Sequence, residues 1–165
     1  MQCQAPRDAI ATLDSALHLR LVTEADLDAV FAHLPRRYRV LRRLVDGRAE
    51  SGPETFVRLL LRSLGVPFDC QVRIDGVGRV DFLVAGWLVI ECDSRAHHAG
   101  WEAQRADRAR DLRLAARGYA CIRPIAADIM TDAPSLRQAV LGILARLRPV
   151  NIPDAGRTVR PARAF

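Results

Sequence analysis

Between Arg79 and His98 the chain reads RVDFLVAGWLVIECDSRAHH. Two apolar runs, one through Val80, Phe82, Leu83 and Val84 and one through Leu88, Val89 and Ile90, bracket a short turn, which predicts a buried β-hairpin. Asp81 interrupts the first strand, and Glu91 and Asp93 end the second. Three carboxylates on one buried hairpin repel each other, and an unpaired buried charge is costly. A positive partner between them resolves the conflict, and a divalent metal is the simplest one. Register sets the condition. A two-residue turn at Ala85–Gly86 would pair Asp81 with Ile90 and place Asp81 and Glu91 on opposite faces. A shared site needs a three-residue turn, Ala85–Trp87, or a bulge.

The chain has 165 residues and is 50% hydrophobic, enough for a real core. No apolar run approaches the ~20 residues of a membrane helix, and the first residues, MQCQAPRDAIATLDSAL, lack the basic-then-apolar pattern of a secretory signal. The expectation is a cytoplasmic protein without a membrane partner. Cys3, Cys70, Cys92 and Cys121 show no CxxC spacing, so a zinc site is not expected. The formal charge is +6, and all 25 basic residues are arginine. Arginine stays charged and grips phosphate through a planar fork, so an anionic polymer is the indicated partner. No lysine exists for a catalytic role.

Residues 7–20 read as an amphipathic helix, with Ile10, Leu13 and Leu17, and Leu21 just beyond it, near helical spacing. Thr23 with Asp26 predicts a capping box before a second helix built on Leu27, Val30, Phe31 and Leu34. Pro35 opens a third helix that Gly47 would close. Its face holds Arg36, Arg37, Arg39, Arg42 and Arg43, either a solvated surface or a phosphate-binding one. Ser51 caps a fourth helix ending at Gly65, with Glu54 in its first turn, where an acid also suits the helix dipole. Cys70–Ile74 and the DGVG turn lead into the Asp81 strand. A long helix follows from Trp101 to Arg117, then a strand at Tyr119–Arg123, a loop or helical turn at Ile125–Met130, and a last helix from Ala133 to Arg148. These boundaries divide the chain into an N-terminal helical segment (1–50), an α/β domain (51–148) and a poorly ordered basic tail (149–165). The order in the middle domain is α-β-β-β-α-β-α, a mixed sheet flanked by helices.

Four stretches carry a resemblance: ESGPETFVRLLLRSLG, GRVDFLV, LVIECDSRAHH and QRADRARDLRLAARGYACIRPIAADI. In this order they resemble the PD-(D/E)xK nuclease superfamily, and within it a group of unknown function related to very-short-patch-repair endonucleases. The resemblance implies a restriction-endonuclease-like core and metal-dependent hydrolysis of DNA phosphodiester bonds. Asp81, Glu91 and Asp93 would hold Mg2+ (or Mn2+), with Glu54 as direct or outer ligand and the Cys92 backbone carbonyl as a further donor. His98 would orient or deprotonate the water, or assist the leaving group; His97 is the lesser of the pair. Arg79, Arg95, His97, Gln104 and Arg110 would contact nucleic acid, with Asp107 near the same cleft. For Gln104, Asp107 and Arg110 an intrahelical ion-pair network is an equal alternative.

The superfamily's lysine falls at Asp93, and Ser94 stands where relatives carry glycine. That departure keeps a second function open, a nuclease-fold DNA-binding or interaction protein that does not cut. A third is a toxin or defence component acting with a partner, including on RNA. Homodimerisation or a partner protein fits either.

Overall fold

The computed structural model describes residues 3–93, 101–146 and 157–159. The chain divides into two compact units, Met1–Leu59 and Leu60–Phe165. The division falls inside a helix, not ahead of it as the residue-50 boundary would have it. The reason is a buried ion pair that ties the start of that helix to the helices before it.

The first unit holds α1 (Pro6–His18), α2 (Glu24–His33), α3 (Arg36–Arg39), a 3-10 segment (Val40–Leu44) and most of α4 (Gly52–Leu64). Thr23 and Asp26 form the expected capping box: the Thr23 hydroxyl accepts from Asp26 N–H at 3.2 Å, and the Asp26 carboxylate accepts from Thr23 N–H at 2.8 Å. Leu27, Phe31 and Val45 form the core, with Leu13, Leu17, Leu34 and Leu41 against it. The single third helix predicted from Pro35 to Gly47 is not formed. It tightens into 3-10 geometry at Val40 and stops at Leu44, whose carbonyl accepts from Arg58 Nη2 at 2.6 Å. Gly47 does not cap it. A Cβ there would lie 2.9 Å from the Leu17 side chain, so glycine serves close approach to α1.

Inside this unit Asp14 and Arg58 are 0% and 1% exposed and pair at 2.7 Å. Thr55 Oγ1 donates to Asp14 Oδ2 at 2.8 Å, and Asp46 N–H donates to Oδ1 at 2.7 Å. Both carboxylate oxygens are thus used by three donors, two on α4 and one in the loop before it, the condition under which a charge is kept away from water.

The second unit is a mixed five-stranded sheet flanked by helices, as expected for the α/β class. Its strands are β1 (Phe68–Ile74), β2 (Gly78–Val84), β3 (Leu88–Ile90), β4 (Ala120–Ile122) and β5 (Arg157–Val159), in the order β4-β3-β2-β1-β5. The β1–β2, β2–β3 and β1–β5 pairs are antiparallel. The β3–β4 pair is parallel, which requires the crossover that α5 (Trp101–Ala116) supplies. Leu114 of α5 and Tyr119 pack with Val72, Ile74, Val80, Leu83 and Val89 of the sheet. After β4 come α6 (Ala126–Thr131) and α7 (Ala133–Arg146), which bury Ile129, Leu136 and Val140. The strand at Arg157–Val159 corrects the expectation of a poorly ordered tail at those residues. The edge of β1 offers an unsatisfied backbone row, and Thr158 and Val159 suit a strand that fills it. Among the described residues no helix is long and apolar enough to cross a membrane.

Candidate functional site

The β2–β3 ladder pairs Phe82 with Ile90, Leu83 with Val89 and Val84 with Leu88. Three residues, Ala85 to Trp87, therefore separate the strands. Ala85 and Gly86 both have positive φ (49° and 79°), and Trp87 N–H donates to Val84 O at 3.1 Å. Continuing this register sets Asp81 opposite Glu91, the arrangement a shared site requires. Asp81 is half-buried and Glu91 buried. Cys92 N–H donates to Asp81 Oδ2 at 2.8 Å, which locks the first carboxylate to the backbone following the second.

Glu91 is also held from the parallel side. Its N–H donates to Ile122 O at 3.1 Å, and the β3–β4 register then places it beside Arg123. Arg123 Nη1 contacts Glu91 Oε2, and Arg123 Nη2 reaches Asp111 Oδ1 at 2.8 Å. From α5, Arg110 Nη2 lies 2.7 Å from Glu91 Oε1, and Nη1 lies 3.3 Å from Oε2. Arg110 Nη2 also donates to the Arg79 carbonyl. Among the described residues the Arg110–Oε1 contact is one of charge only: Oε1 is buried and receives no directed hydrogen bond. Burial pushes the Glu91 carboxyl above the ordinary range, against the pull of Arg123 and Arg110 and with added repulsion from Asp81 and Asp111. Burial likewise pushes the neighbouring Cys121 thiol up to about 12.

The remaining expected residues have the following surroundings. Asp93 is half-buried and its backbone bridges to the chain before α6: its N–H donates to Pro124 O at 3.1 Å and its carbonyl accepts from Ala126 N–H at 2.9 Å. Glu54 stands in the first unit, where its carboxylate accepts Ser51 Oγ–H at 2.8 Å and Glu50 N–H at 2.9 Å, the geometry of a helix cap. Gln104 is exposed on α5, Asp107 half-buried, and the Arg79 side chain exposed. Arg95, His97 and His98 lie outside the described residues. Among those described, no cluster of three or more His, Cys, Asp or Glu side chains is positioned for a metal ion. The pair that does assemble is Asp81 with Glu91. Two carboxylates are a sufficient protein donor set for Mg2+, which keeps most of its waters. Glu91 Oε1, buried without a directed hydrogen bond among the described residues, would face a cation only with Arg110 displaced.

Reasoning from sequence missed Arg123 and Asp111. The signal was present: LVIE and ACIR both place a charge immediately after an apolar strand, and parallel pairing of those strands aligns the two charges. No family model matches the chain, and no solved structure matches it. Two Mycobacterium tuberculosis proteins, "Uncharacterized protein MT2308" (strain CDC 1551 / Oshkosh) and "Uncharacterized protein Rv2248" (strain ATCC 25618 / H37Rv), are each 32% identical to it over 161 residues. The match covers 89% of this chain but 58% of those proteins, so the chain spans little more than half the length of the relatives it matches.

Proposed function

We propose that the second unit is a restriction-endonuclease-like core and that the chain hydrolyses DNA phosphodiester bonds with Mg2+ or Mn2+ at the Asp81–Glu91 end of the β2–β3 hairpin. The observation that carries this reading is the three-residue turn, which brings the two carboxylates opposite each other. Local electrostatics support it: Asp81 and Asp111 both add negative potential at Glu91. A bound divalent cation supplies charge neutralisation and an acidified water. Asp81 and Glu91 would hold it, and the Cys92 carbonyl is the nearest backbone donor in sequence. Arg110, on turning from Glu91, presents its fork to a phosphate oxygen. His98 is assigned to the water or the leaving group.

A second reading, a protein of the same fold that binds nucleic acid without cutting it, is favoured by one observation. Both Glu91 oxygens lie against guanidinium groups, which take the place of an external cation. Incubation of supercoiled plasmid with Mg2+ or Mn2+ separates the two. Nicking by the wild type that Asp81→Ala abolishes supports hydrolysis. Retention of DNA with no strand break at any metal concentration overturns hydrolysis and leaves the second reading.

A further inference from the structure

We infer that the first unit carries a docking surface for the phosphate backbone of duplex DNA, formed by Arg36, Arg37, Arg39 and Arg43. This inference rests on the nucleic-acid part of the proposed function and is independent of catalysis. From Pro35 to Val45 the sequence has five arginines and no acid. The structure sorts them by role. Arg42 is half-buried and paired with Glu24 at 2.6 Å and Asp28 at 2.7 Å, which fixes the segment against α2. The other four are exposed, and among the described residues none forms an ion pair with a carboxylate. Arg39 spends Nε on Leu34 O at 2.9 Å, and Arg37 lies over the Tyr38 ring at 4.8 Å, so both side chains are held in place. Arg36 and Arg39 share a face of α3 at i and i+3, and Arg43 follows in the 3-10 segment. The span from Arg36 to Arg43 is ~12 Å at helical and 3-10 rises. That length matches three to four successive phosphates at about 3.4 Å of axis each.

The chemistry also separates DNA from an anionic membrane. A membrane-surface helix sets its basic face beside a broad apolar one. Here Leu41 is turned into the core, and Val40 is the segment's large exposed apolar residue. A cluster of exposed guanidinium forks suits a rigid polyanion, where each neutralised phosphate releases counterions.

The test is fluorescence anisotropy of the full chain with a labelled DNA duplex, in EDTA so that no divalent ion takes part, across 50–200 mM KCl. For R36Q/R37Q/R43Q the slope of log K against log salt is expected to become shallower by about two to three, at ~0.9 for each phosphate no longer neutralised. R36K/R37K/R43K, which keeps the charge, is expected to retain the wild-type slope and so separates loss of docking from loss of fold. R62Q/R113Q/R137Q removes the same charge from exposed positions elsewhere and is expected to change the slope by less than one. An unchanged slope in the first variant overturns the inference, as does an equal change in the scattered control. So does loss of binding to phosphatidylserine vesicles with DNA binding intact. A wild type that binds in EDTA but never cuts leaves this surface standing while the hydrolytic reading fails.

Discussion

The buried pair in the first unit permits the most quantitative prediction. Asp14→Asn keeps one side-chain oxygen for Asp46 N–H but removes the negative charge beside Arg58. Arg58, 1% exposed, is then a buried cation whose remaining acceptor is the Leu44 carbonyl. Breaking one side of such a pair costs about 3–5 kcal/mol, a large share of the roughly 5–15 kcal/mol of a folded domain. Burial already pushes the Asp14 carboxyl up, against Arg58 and the hydrogen bonds from Asp46 and Thr55, so desolvation of this network is not fully offset. Replacing both partners by apolar residues, Asp14→Leu with Arg58→Met, is therefore expected to cost far less than Asp14→Asn alone. Urea unfolding followed by far-UV circular dichroism reports the helices of both units, so the part of the transition that tryptophan fluorescence does not share belongs to the first unit. Trp87 and Trp101 both lie in the second unit and report that unit by fluorescence. At a slope of ~2 kcal/mol/M, Asp14→Asn lowers the helical midpoint by about 1.5–2.5 M. A shift worth under ~1 kcal/mol, or a double variant as unstable as the single one, refutes the assignment of this pair as the tie between α1 and α4.

Three further outcomes are expected. The folded Glu91 carboxyl is raised above its ordinary 4.5, so its contribution to stability is fully present below that pH and is lost as pH rises through the folded value. The melting temperature of wild type minus that of Glu91→Gln should thus fall from pH 4 to pH 7; a value that rises would mean that the two arginines hold the carboxyl low. Glu54→Ala removes a helix cap and should cost ~1 kcal/mol, with Mn2+ affinity by paramagnetic resonance unchanged; a tenfold loss of affinity would make Glu54 a ligand after all. Ala85 is exposed at φ 49°, a region that costs an L-residue about 1–2 kcal/mol and glycine little, so after the entropy of glycine Ala85→Gly should stabilise by ~0.5 kcal/mol in thermal melts. A loss of stability would show that the turn is set by something other than backbone conformation.

Much of the architecture was legible because it is written in local patterns. Thr23 and Asp26 sit at capping-box spacing, Gly65 and Gly118 end helices at positive φ, and DGVG closes the β1–β2 hairpin. Failures came where a tertiary contact overrides local preference. Val40–Leu44 leaves the α-helix while Arg58 draws in its last carbonyl. Residues 157–159 lack periodicity and become a strand because the edge of β1 is there to receive them. The partner of Asp14 lies 44 positions along the chain, a separation that no local pattern encodes.

The site divides in the same way. Turn length was the one unknown between two incompatible registers, and the ladder chose the register that opposes Asp81 and Glu91. Acids can be counted in a sequence, whereas their neutralisation depends on which cations the fold brings up. Arg123 arrives through a parallel strand and Arg110 through a helix, from 32 and 19 positions away. The absence of lysine narrows what these cations can do. A lysine beside a buried carboxylate can lose its proton and turn general base, but an arginine cannot. Arg110 and Arg123 can therefore act at Glu91 only by holding charge or by handing it over. If the cluster works on DNA, the exchange must be one cation for another: guanidinium groups leave the carboxylate for phosphate as a divalent ion takes their place. Neutralising Arg110 as Arg110→Gln should then tighten Mn2+ binding while weakening DNA binding, and a variant that weakens both would place Arg110 in the scaffold and not in the exchange.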